Sequence, residues 1–260
     1  MPLFLAAPLS ALIALVAWGA RALTGWGAVA AAAVGTAVLT GTGWPGGLVL
    51  AVFFVSSTAV SHALPDPAIQ ALDARGNRRD PVQVLANGVP AALGALLGLH
   101  VPGLGLWVVT SSLAAAAADT WATAWGATSP RPPRAILSGK TVPAGTSGGI
   151  TLRGCVGAAG GAALVGLTGA VAGSDEWLFG AGFLVGLGGM LADSALGDGW
   201  QGKFYCEQCA RATERRIHRC GTPALHRRGW IWLTNDGVNA LVSALAALTG
   251  WAAWLLASRS

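Results

Sequence analysis

The chain reads DTWATAWG at residues 119–126 and SGKTVPAGTSGG at residues 138–149, and these two polar motifs lie between two long apolar segments. Together the motifs supply a carboxylate, a lysine and a run of glycine amides. Such groups bind phosphate in proteins, because backbone N–H groups and cations compensate its charge. The flanking segments have the length and composition of membrane-spanning helices. This stretch therefore predicts a phosphate-binding site at a membrane surface.

The composition is that of an integral membrane protein. Of the 260 residues, 53% are apolar and only 10% are charged, which is too few charges for a soluble domain. Glycine and alanine dominate the apolar segments, and small residues let helix backbones approach closely in lipid. We therefore expect residues 1–260 to form a single all-α membrane domain, a tight bundle of helices.

Eight apolar segments approach the roughly 20 residues that a helix needs to cross a membrane. They lie at residues 3–19, 25–41, 44–61, 82–99, 104–121, 150–171, 176–196 and 236–256. Several are short, and Gly43-Trp44-Pro45 makes one connection tight, so seven spans or a re-entrant pair are alternatives. The expected fold is a polytopic bundle of about eight transmembrane helices.

The positions of the basic residues predict the orientation of the chain, because cytoplasmic loops retain Lys and Arg. The loops after the first, third, fifth and seventh spans contain Arg21, Arg75, Arg78, Arg79, Arg131, Arg134, Lys140, Lys203, Arg211, Arg215, Arg216, Arg219, Arg227 and Arg228. We expect these loops in the cytoplasm and both termini outside, in a multi-pass protein of the inner (plasma) membrane. This asymmetry accounts for the net charge of +5. We expect the lipid bilayer as a partner and no nucleic acid.

A first polar cluster begins the fourth predicted span. Asp80 before Pro81 is a typical helix start, which gives this carboxylate a structural explanation. Gln83 and Asn87 are four residues apart and share one face of an apolar helix, where buried amides need partners. They either join helices or line a site. With Arg79 and Asp80, they are candidates for substrate binding.

Acidic residues at the ends of the fifth and seventh spans are candidate metal ligands. Asp119 closes an alanine-rich span, Asp193 lies near the end of the seventh span, and Asp198 follows it. Carboxylates in or near a membrane are costly and are usually functional, although an Asp that reaches interfacial water is the alternative. Mg²⁺ needs two or three such groups to bridge protein and polyphosphate. We expect Asp119 and Asp193 to be catalytic Mg²⁺ ligands, with Asp198 as a further ligand.

The glycine-rich loop after Lys140 is the candidate phosphate-binding element, and it comprises Gly145, Thr146, Ser147, Gly148 and Gly149. Glycine allows several backbone amides to converge on one anion, and the following helix start adds a positive dipole end. It is not a Walker loop, whose lysine follows the last glycine. A plain turn in a glycine-rich protein is the alternative. We expect Lys140 to act with this loop in catalysis.

The start of the eighth span offers three more polar side chains, Asn235, Asp236 and Asn239. Thr234 or Asn235 is a plausible N-cap and Asp236 suits the first turn of a helix, so capping alone is one explanation. Asn239 shares a helix face with Asn235. This repeats the arrangement of the amides in the fourth span, and we expect the three residues to help bind a nucleotide.

Three of the four cysteines fall in one basic loop, as Cys206 and Cys209, then His218 and Cys220. Two thiolates at this spacing and a second short pair can complete a tetrahedral zinc site. Because the charge pattern places the loop in the reducing cytoplasm, zinc is favoured over a disulfide. We expect residues 199–229 to form a small zinc-ribbon-like loop with structural Zn²⁺, and His226 is the alternative to His218.

Five of these motifs, in order, resemble a polytopic membrane family that includes the phytyl-phosphate kinase of tocopherol synthesis and its relative transmembrane protein nineteen. They are RDPVQVLANG at 79–88, ADTWA at 118–122, VPAGTSGGI at 142–150, DSALG at 193–197 and WLTNDGVN at 232–239. The resemblance implies a kinase that phosphorylates a prenyl or phytyl monophosphate to the diphosphate. Related polyprenol kinases imply CTP as the donor. The cysteine loop resembles that of prokaryotic members only, which implies no catalytic role.

The resulting hypothesis needs no protein base, because a phosphate monoester is itself a competent nucleophile. Phosphoryl transfer depends on charge neutralisation and in-line placement. In this hypothesis Asp119 and Asp193 hold Mg²⁺ on the triphosphate, and Arg79 orients the acceptor. The alternatives are a CTP-using nucleotidyltransferase that acts on a lipid phosphate, a non-enzymatic scaffold, and a transporter, for which midplane polar residues in broken helices are expected.

Overall fold

Long helices make up most of the residues that this computed structural model describes, which are 1–64 and 78–259. Arg75 lies outside the described residues. The helices are α1 Leu3–Gly19, α2 Gly25–Ala63, α3 Pro81–Leu97, α4 Leu104–Ala127, α5 Leu152–Gly173, α6 Trp177–Gly199 and α7 Asn235–Ala257. The strands are short and confined to two loops: β1 Arg134–Ala135, β2 Gly149–Ile150, β3 Lys203–Cys206, β4 Arg211–Thr213 and β5 Leu225–Arg228. The predicted helical bundle is confirmed.

The longest helix, α2, is a helical hairpin with its bend at Gly43. Gly43 has φ +65° and ψ −151°, which is outside the helical region, and the nearby Pro45 also disfavours a continuous helix. The chain folds back at this bend. An added Cβ at Gly46 would lie 3.3 Å from the Val38 side chain, whereas residues eight positions apart in a straight helix are separated by about 12 Å. The two arms correspond to the second and third predicted spans.

Four helices, α2, α5, α6 and α7, are long and apolar enough to cross a membrane, by length and composition. The apolar helices α1 and α3 are shorter. The number of spans therefore stays a prediction.

Helix α4 is the centre of the bundle. It packs against α2, α3, α5, α6 and α7, and its residues 107–118 are all buried. The surrounding helices expose large apolar side chains on their outer faces, such as Leu152, Val171 and Leu184. A helical bundle in lipid has apolar residues both in its core and on its outer surface, because the outer surface contacts hydrocarbon.

Small residues make this close packing possible. An added Cβ at Gly182 in α6 would lie 2.8 Å from Cα of Gly166 in α5, and one at Gly161 would lie 2.9 Å from the carbonyl oxygen of Ala117 in α4. Real Cβ atoms do not approach backbone so closely. The expected role of glycine in helix packing is therefore confirmed.

The ends of the helices divide into two sets. Both ends of α2 lie near Arg79, because Thr24 N–H donates to the Arg79 carbonyl at 3.0 Å and Ser61 and His62 of the last turn line the same cavity as Arg79. The amino group of Met1 instead donates to the Thr40 carbonyl at 3.1 Å, near the bend of α2. The N-terminus thus lies at the end of the bundle opposite Arg79.

Two loops cover the end that carries Arg79. The first joins α4 to α5 and closes on itself through the antiparallel pair β1 and β2. The second joins α6 to α7 and contains a three-stranded sheet of order β4-β3-β5. We call residues 200–230 the Cys/His module. Both loops contact Asp198 at the end of α6, through Leu137 N–H of the first loop at 3.1 Å and Arg228 of the second at 2.9 Å.

The glycine packing generates a prediction for two residues of the same helix. Gly182→Ala should destabilise the bundle by about 1–2 kcal/mol, because the added methyl overpacks α5 against α6. Gly180→Ala is the matched control, since its Cβ would meet nothing within 4 Å, and it should be neutral or stabilising by up to about 1 kcal/mol. Unfolding by SDS titration in mixed micelles measures both. Equal free energies of unfolding for the two variants would contradict the close contact between α5 and α6 at Gly182.

Candidate functional site

A cavity of about 900 Å³ lies where the ends of six helices meet. Helices α2, α4 and α6 contribute their last turns, and α3, α5 and α7 contribute their first turns. The cavity collects predicted site residues from across the chain: Arg79, Gln83, Asn87, Asp119, Gly145, Thr146, Ser147, Gly148, Gly149, Asp193, Asn235, Asp236 and Asn239. Among the described residues, the predicted residues Asp80, Lys140 and Asp198 do not line it.

The first turn of α3 is fixed by a capping box. The Asp80 carboxylate accepts a hydrogen bond from Gln83 N–H at 2.9 Å, and the Gln83 side chain returns toward Asp80 N–H at 3.4 Å. The structural explanation of Asp80 is therefore confirmed. Asn87, one turn later, accepts a hydrogen bond from Ser243 of α7 at 3.5 Å. Asn87 thus joins two helices and also lines the cavity.

Arg79 places a partly buried cation at the cavity wall. Its backbone N–H donates to the Ala22 carbonyl at 2.9 Å, and its guanidinium lies 5.3 and 5.5 Å from the ring centroids of Phe53 and Phe54. Both distances are in the range of cation–π contacts. Burial lowers the pKa of Arg79 to about 10. The side chain therefore stays charged at neutral pH and is available to an anion.

Asp119 of α4 and Asp193 of α6 both line the cavity. Asp193 is within electrostatic range of Asp119 and also of Glu214. Among the described residues, no hydrogen-bond partner reaches the buried Oδ2 atom of Asp193. A buried carboxylate oxygen without a partner is costly. Oxygen-rich, negatively charged sites of this kind fit a divalent cation such as Mg²⁺.

The glycine-rich loop is held against the Cys/His module. Gly145 and Gly148 have φ of +81° and +83°, a backbone conformation that favours glycine. The Ser147 carbonyl accepts a hydrogen bond from Lys203 Nζ at 2.9 Å, and the Ser147 hydroxyl accepts one from Gln201 at 3.1 Å. Burial and the charge of the nearby Arg228 lower the pKa of Lys203. The loop conformation therefore depends on the module.

Three charged residues of the module line the cavity but were not among the predicted site residues: Glu214, Arg215 and Arg216. Glu214 accepts a hydrogen bond from the Ser147 hydroxyl. The sequence predictions for this loop concern its cysteines and histidines as zinc ligands and its arginines as a signal of membrane topology. The one available signal was that Glu214 and Glu207 are the acidic residues in the otherwise basic segment 203–228.

Two predicted residues are placed elsewhere. Lys140 is exposed in a tight turn that Gly139, with φ +67°, permits, and its carbonyl accepts from Ala135 N–H at 2.9 Å. Asp198 is buried and forms an ion pair with Arg228 at 2.9 Å. It also accepts from Leu137 N–H at 3.1 Å. The charge of Asp198 is thus already compensated, and it connects the module to α6.

The start of α7 confirms a predicted cap. The Thr234 side chain accepts from Gly237 N–H at 3.3 Å, so Thr234 rather than Asn235 is the N-cap. Asp236 lies buried in the first turn. With Thr234 in the capping position, the side chains of Asn235 and Asn239 line the cavity.

The Cys/His module brings its four predicted ligands together. Ligand atoms of Cys206, Cys209, His218 and Cys220 all lie within 4.8 Å of one another. The Sγ atoms of Cys206 and Cys220 are 3.6 Å apart, close to the ~3.8 Å that tetrahedral bonds of about 2.3 Å produce. The set therefore fits one metal ion. The alternative ligand His226 instead contacts the Gly229 carbonyl at 2.9 Å and lies outside the described cluster.

These features define an integral membrane protein with a polar cavity at one end of its helical bundle. The sequence profile of the family described as integral membrane protein DUF92 matches residues 8–247, and the chain belongs to that family. An uncharacterized membrane protein of Methanocaldococcus jannaschii is 31% identical over 196 residues, which are 75% of this chain and 82% of that protein. No solved structure matches the chain. The predicted membrane class is thereby confirmed.

The cysteine cluster generates a prediction of metal content. Purified protein should contain about one equivalent of transition metal, because four ligands converge on one point. Cys206→Ser should lose most of this metal, and Cys155→Ser is the matched control, since Cys155 lies outside the cluster. Elemental analysis of the purified variants measures the content. Metal retained by Cys206→Ser but lost by Cys155→Ser would contradict the assignment.

Proposed function

We propose that this protein is a membrane kinase that transfers the terminal phosphoryl group of CTP to a prenyl or phytyl monophosphate, giving the diphosphate. One observation carries the proposal. Asp119 and Asp193 converge in a cavity beside the glycine-rich loop, and the buried Oδ2 atom of Asp193 has no partner among the described residues. Carboxylates, glycine amides and arginines in one cavity are what a metal-bound triphosphate requires.

The carboxylates would hold the catalytic cation. In this proposal Asp119 and Asp193 bind Mg²⁺, which when bound neutralises charge on the triphosphate. Asp198 takes no part, because Arg228 and Lys203 already compensate its charge. The proposed role of Asp198 as a Mg²⁺ ligand is therefore dropped.

The phosphate groups would lie on the glycine-rich loop and the start of α5. Residues 145–149 line the cavity, and the N-terminus of α5 adds the positive end of its dipole. Arg215 and Arg216 also line the cavity. They supply the positive charge that was predicted for Lys140, which is exposed and does not line the cavity.

The acceptor would enter from the side of α3. Arg79 carries a retained positive charge suited to the acceptor monophosphate, while Gln83 and Asn87 form the polar wall. Cys155, Met190 and Leu233 give the cavity an apolar side, which suits the first carbons of a prenyl chain. Residues Asn235, Asp236 and Asn239 at the start of α7 would contact the nucleotide.

The reaction is an in-line displacement at phosphorus. An oxygen of the acceptor monophosphate forms a bond to the terminal phosphorus of CTP, and the bond from that phosphorus to the bridging oxygen breaks. CDP leaves with the electron pair. A monophosphate dianion has no proton to lose, so the chain needs no general base, and its contribution is placement and charge.

We further propose that the cavity faces the cytoplasm of an inner membrane protein with eight spans. The basic residues Arg78, Arg79, Arg131, Arg215 and Arg216 all line the cavity, as the retention of positive charge in cytoplasmic loops requires. The amino group of Met1 lies at the other end. We also propose that the metal of the Cys/His module is structural Zn²⁺, because four protein ligands leave no open position.

An assay with purified protein tests the kinase directly. CTP, Mg²⁺ and phytyl or geranylgeranyl monophosphate should yield the prenyl diphosphate, identified by its mass. Asp119→Asn and Asp193→Asn should each lower turnover about 100-fold or more, because the cation loses a charged ligand. Glu176→Gln is the control, since Glu176 precedes α6 at the end opposite the cavity, and it should keep full activity.

Two results would contradict the kinase. A CDP-lipid product would identify a nucleotidyltransferase instead. Turnover unchanged in folded Asp119→Asn and Asp193→Asn proteins would remove the proposed role of both carboxylates.

A further inference from the structure

The beginning of α3 supplies three neighbouring polar side chains to the cavity. Arg79 precedes the N-cap of the helix, and Gln83 and Asn87 follow at intervals of four residues. Residues four apart in a helix lie on one face, with their Cβ atoms about 5–6 Å apart. The two amides are therefore neighbours on the same face of α3, and Arg79 lies at the N-terminal end of that helix.

Hydrogen bonds inside the protein fix which way both amides point. Gln83 Oε1 accepts from the backbone N–H of Asp80 at 3.4 Å, and Asn87 Oδ1 accepts from the hydroxyl of the buried Ser243 in α7 at 3.5 Å. When the oxygen of an amide is engaged in this way, its NH₂ group points away from that contact. Among the described residues nothing accepts from Gln83 Nε2 or Asn87 Nδ2, and neither nitrogen is buried. Both NH₂ groups are therefore available to a ligand in the cavity.

Arg79 adds a cation to these two donors. Its guanidinium packs on the rings of Phe53 and Phe54, and no carboxylate among the described residues forms an ion pair with it. A partly buried cation without a counter-ion favours an anionic ligand, and a guanidinium has donors and no acceptor. We call Arg79, Gln83 and Asn87 the donor triplet, because each of them offers N–H groups to the cavity.

We propose that the donor triplet binds the phosphate monoester group of the acceptor, and that Ser243 is a positioning residue that orients Asn87 for this contact. The inference rests on the proposed function for the identity of the acceptor. A phosphate monoester is an anion with three strong acceptor oxygens, which matches a cation and two NH₂ groups. The hydroxyl of a free alcohol instead has a proton to donate, and the triplet has no free group placed to accept it. The triplet therefore selects a monophosphate over an alcohol.

A purely structural role for both amides is the competing explanation. In that case Gln83 only completes the capping box and Asn87 only joins α3 to α7. Gln83→Glu separates the two roles, because glutamate also completes a capping box but has no NH₂ group. The helix start is kept in this variant, and affinity for the monophosphate falls only if the NH₂ group contacts the ligand side of the cavity.

Calorimetric titration of phytyl monophosphate into the full-length protein in detergent, without nucleotide or Mg²⁺, tests the proposal apart from turnover. Gln83→Glu and Asn87→Ala should each weaken binding about tenfold or more, because each loses a hydrogen bond to a charged group. Gln208→Glu is the matched control. Gln208 is exposed in the Cys/His module and does not line the cavity, so the same chemical change there should leave the affinity within about twofold of wild type.

A double-mutant cycle tests the role of Ser243. Ser243→Ala should weaken binding about threefold or more, because the Asn87 amide must then be ordered when the ligand binds. In the Asn87→Ala background, Ser243→Ala should cause no further loss. Ser112→Ala is the matched control: Ser112 donates to the Ser243 carbonyl at 3.3 Å, so this variant removes an interhelical hydrogen bond of the same residue without changing the contact to Asn87. Its affinity should stay within about twofold of wild type.

Two further ligands identify what the triplet recognises. Phytol should bind at least about tenfold more weakly than phytyl monophosphate, because it lacks the charged oxygens. Inorganic phosphate should compete with phytyl monophosphate but bind more weakly, because it lacks the prenyl chain. Inorganic phosphate that binds as tightly as the lipid would overturn the assignment to a lipid phosphate.

Three results would overturn the donor triplet itself. The first is wild-type affinity for phytyl monophosphate in folded Gln83→Glu and Asn87→Ala proteins. The second is phytol binding as tight as that of the monophosphate. The third, which would remove the role of Ser243, is an equal loss from Ser243→Ala whether or not Asn87 is present.

The failure of this inference is distinguishable from the failure of the kinase. Prenyl diphosphate formation with monophosphate binding independent of Gln83 and Asn87 would overturn the inference and leave the kinase standing. Monophosphate binding that depends on the triplet, in a protein that forms no prenyl diphosphate, would support the binding site and overturn the kinase.

Discussion

Two carboxylates that share one cavity inside an apolar bundle are the constraint on which this structure depends. Asp119 and Asp193 lie within electrostatic range of one another, on helices whose other residues are mostly apolar. Their mutual repulsion and their removal from water both raise the free energy of the fold. In the proposed function, a cation bound between the two carboxylates offsets both costs.

The bundle can bring these groups together because its helices pack closely. The buried alanines of α4 and the glycines of α5 and α6 let the backbones touch, so the last turns of α4 and α6 converge. The loops then add a glycine-rich turn and arginines to the cavity. The close packing of the apolar helices therefore determines where the polar residues of the cavity lie.

Much of the fold and site follows from local sequence patterns. Asp80 and Thr234 are N-caps because each precedes a helix with an oxygen that can accept from an N–H group three residues later, and this pattern is visible in sequence. The bend at Gly43 was likewise signalled by Gly43-Trp44-Pro45. The lengths of the apolar segments predicted where the helices lie, but they do not determine whether each helix crosses the membrane.

The remainder depended on contacts between distant residues. Glu214 reaches the cavity because of the register between β3 and β4 and the hydrogen bond to Ser147, and no spacing rule connects residues 147 and 214. Asp198 resembled a ligand in sequence, but its ion pair with Arg228 depends on how the module returns to α6. Lys140 follows a glycine with positive φ, and this turn leaves its side chain exposed. Tertiary partners, rather than residue type, decided the positions of Glu214 and Asp198, whereas a local turn decided the position of Lys140.

A crystal structure of the protein with Mg²⁺ and a non-hydrolysable CTP analogue tests the central claim most directly. The account predicts the cation between Asp119 and Asp193, with the triphosphate on residues 145–149. Nucleotide bound at another surface, or carboxylates of Asp119 and Asp193 too far apart to share one ion, would contradict it.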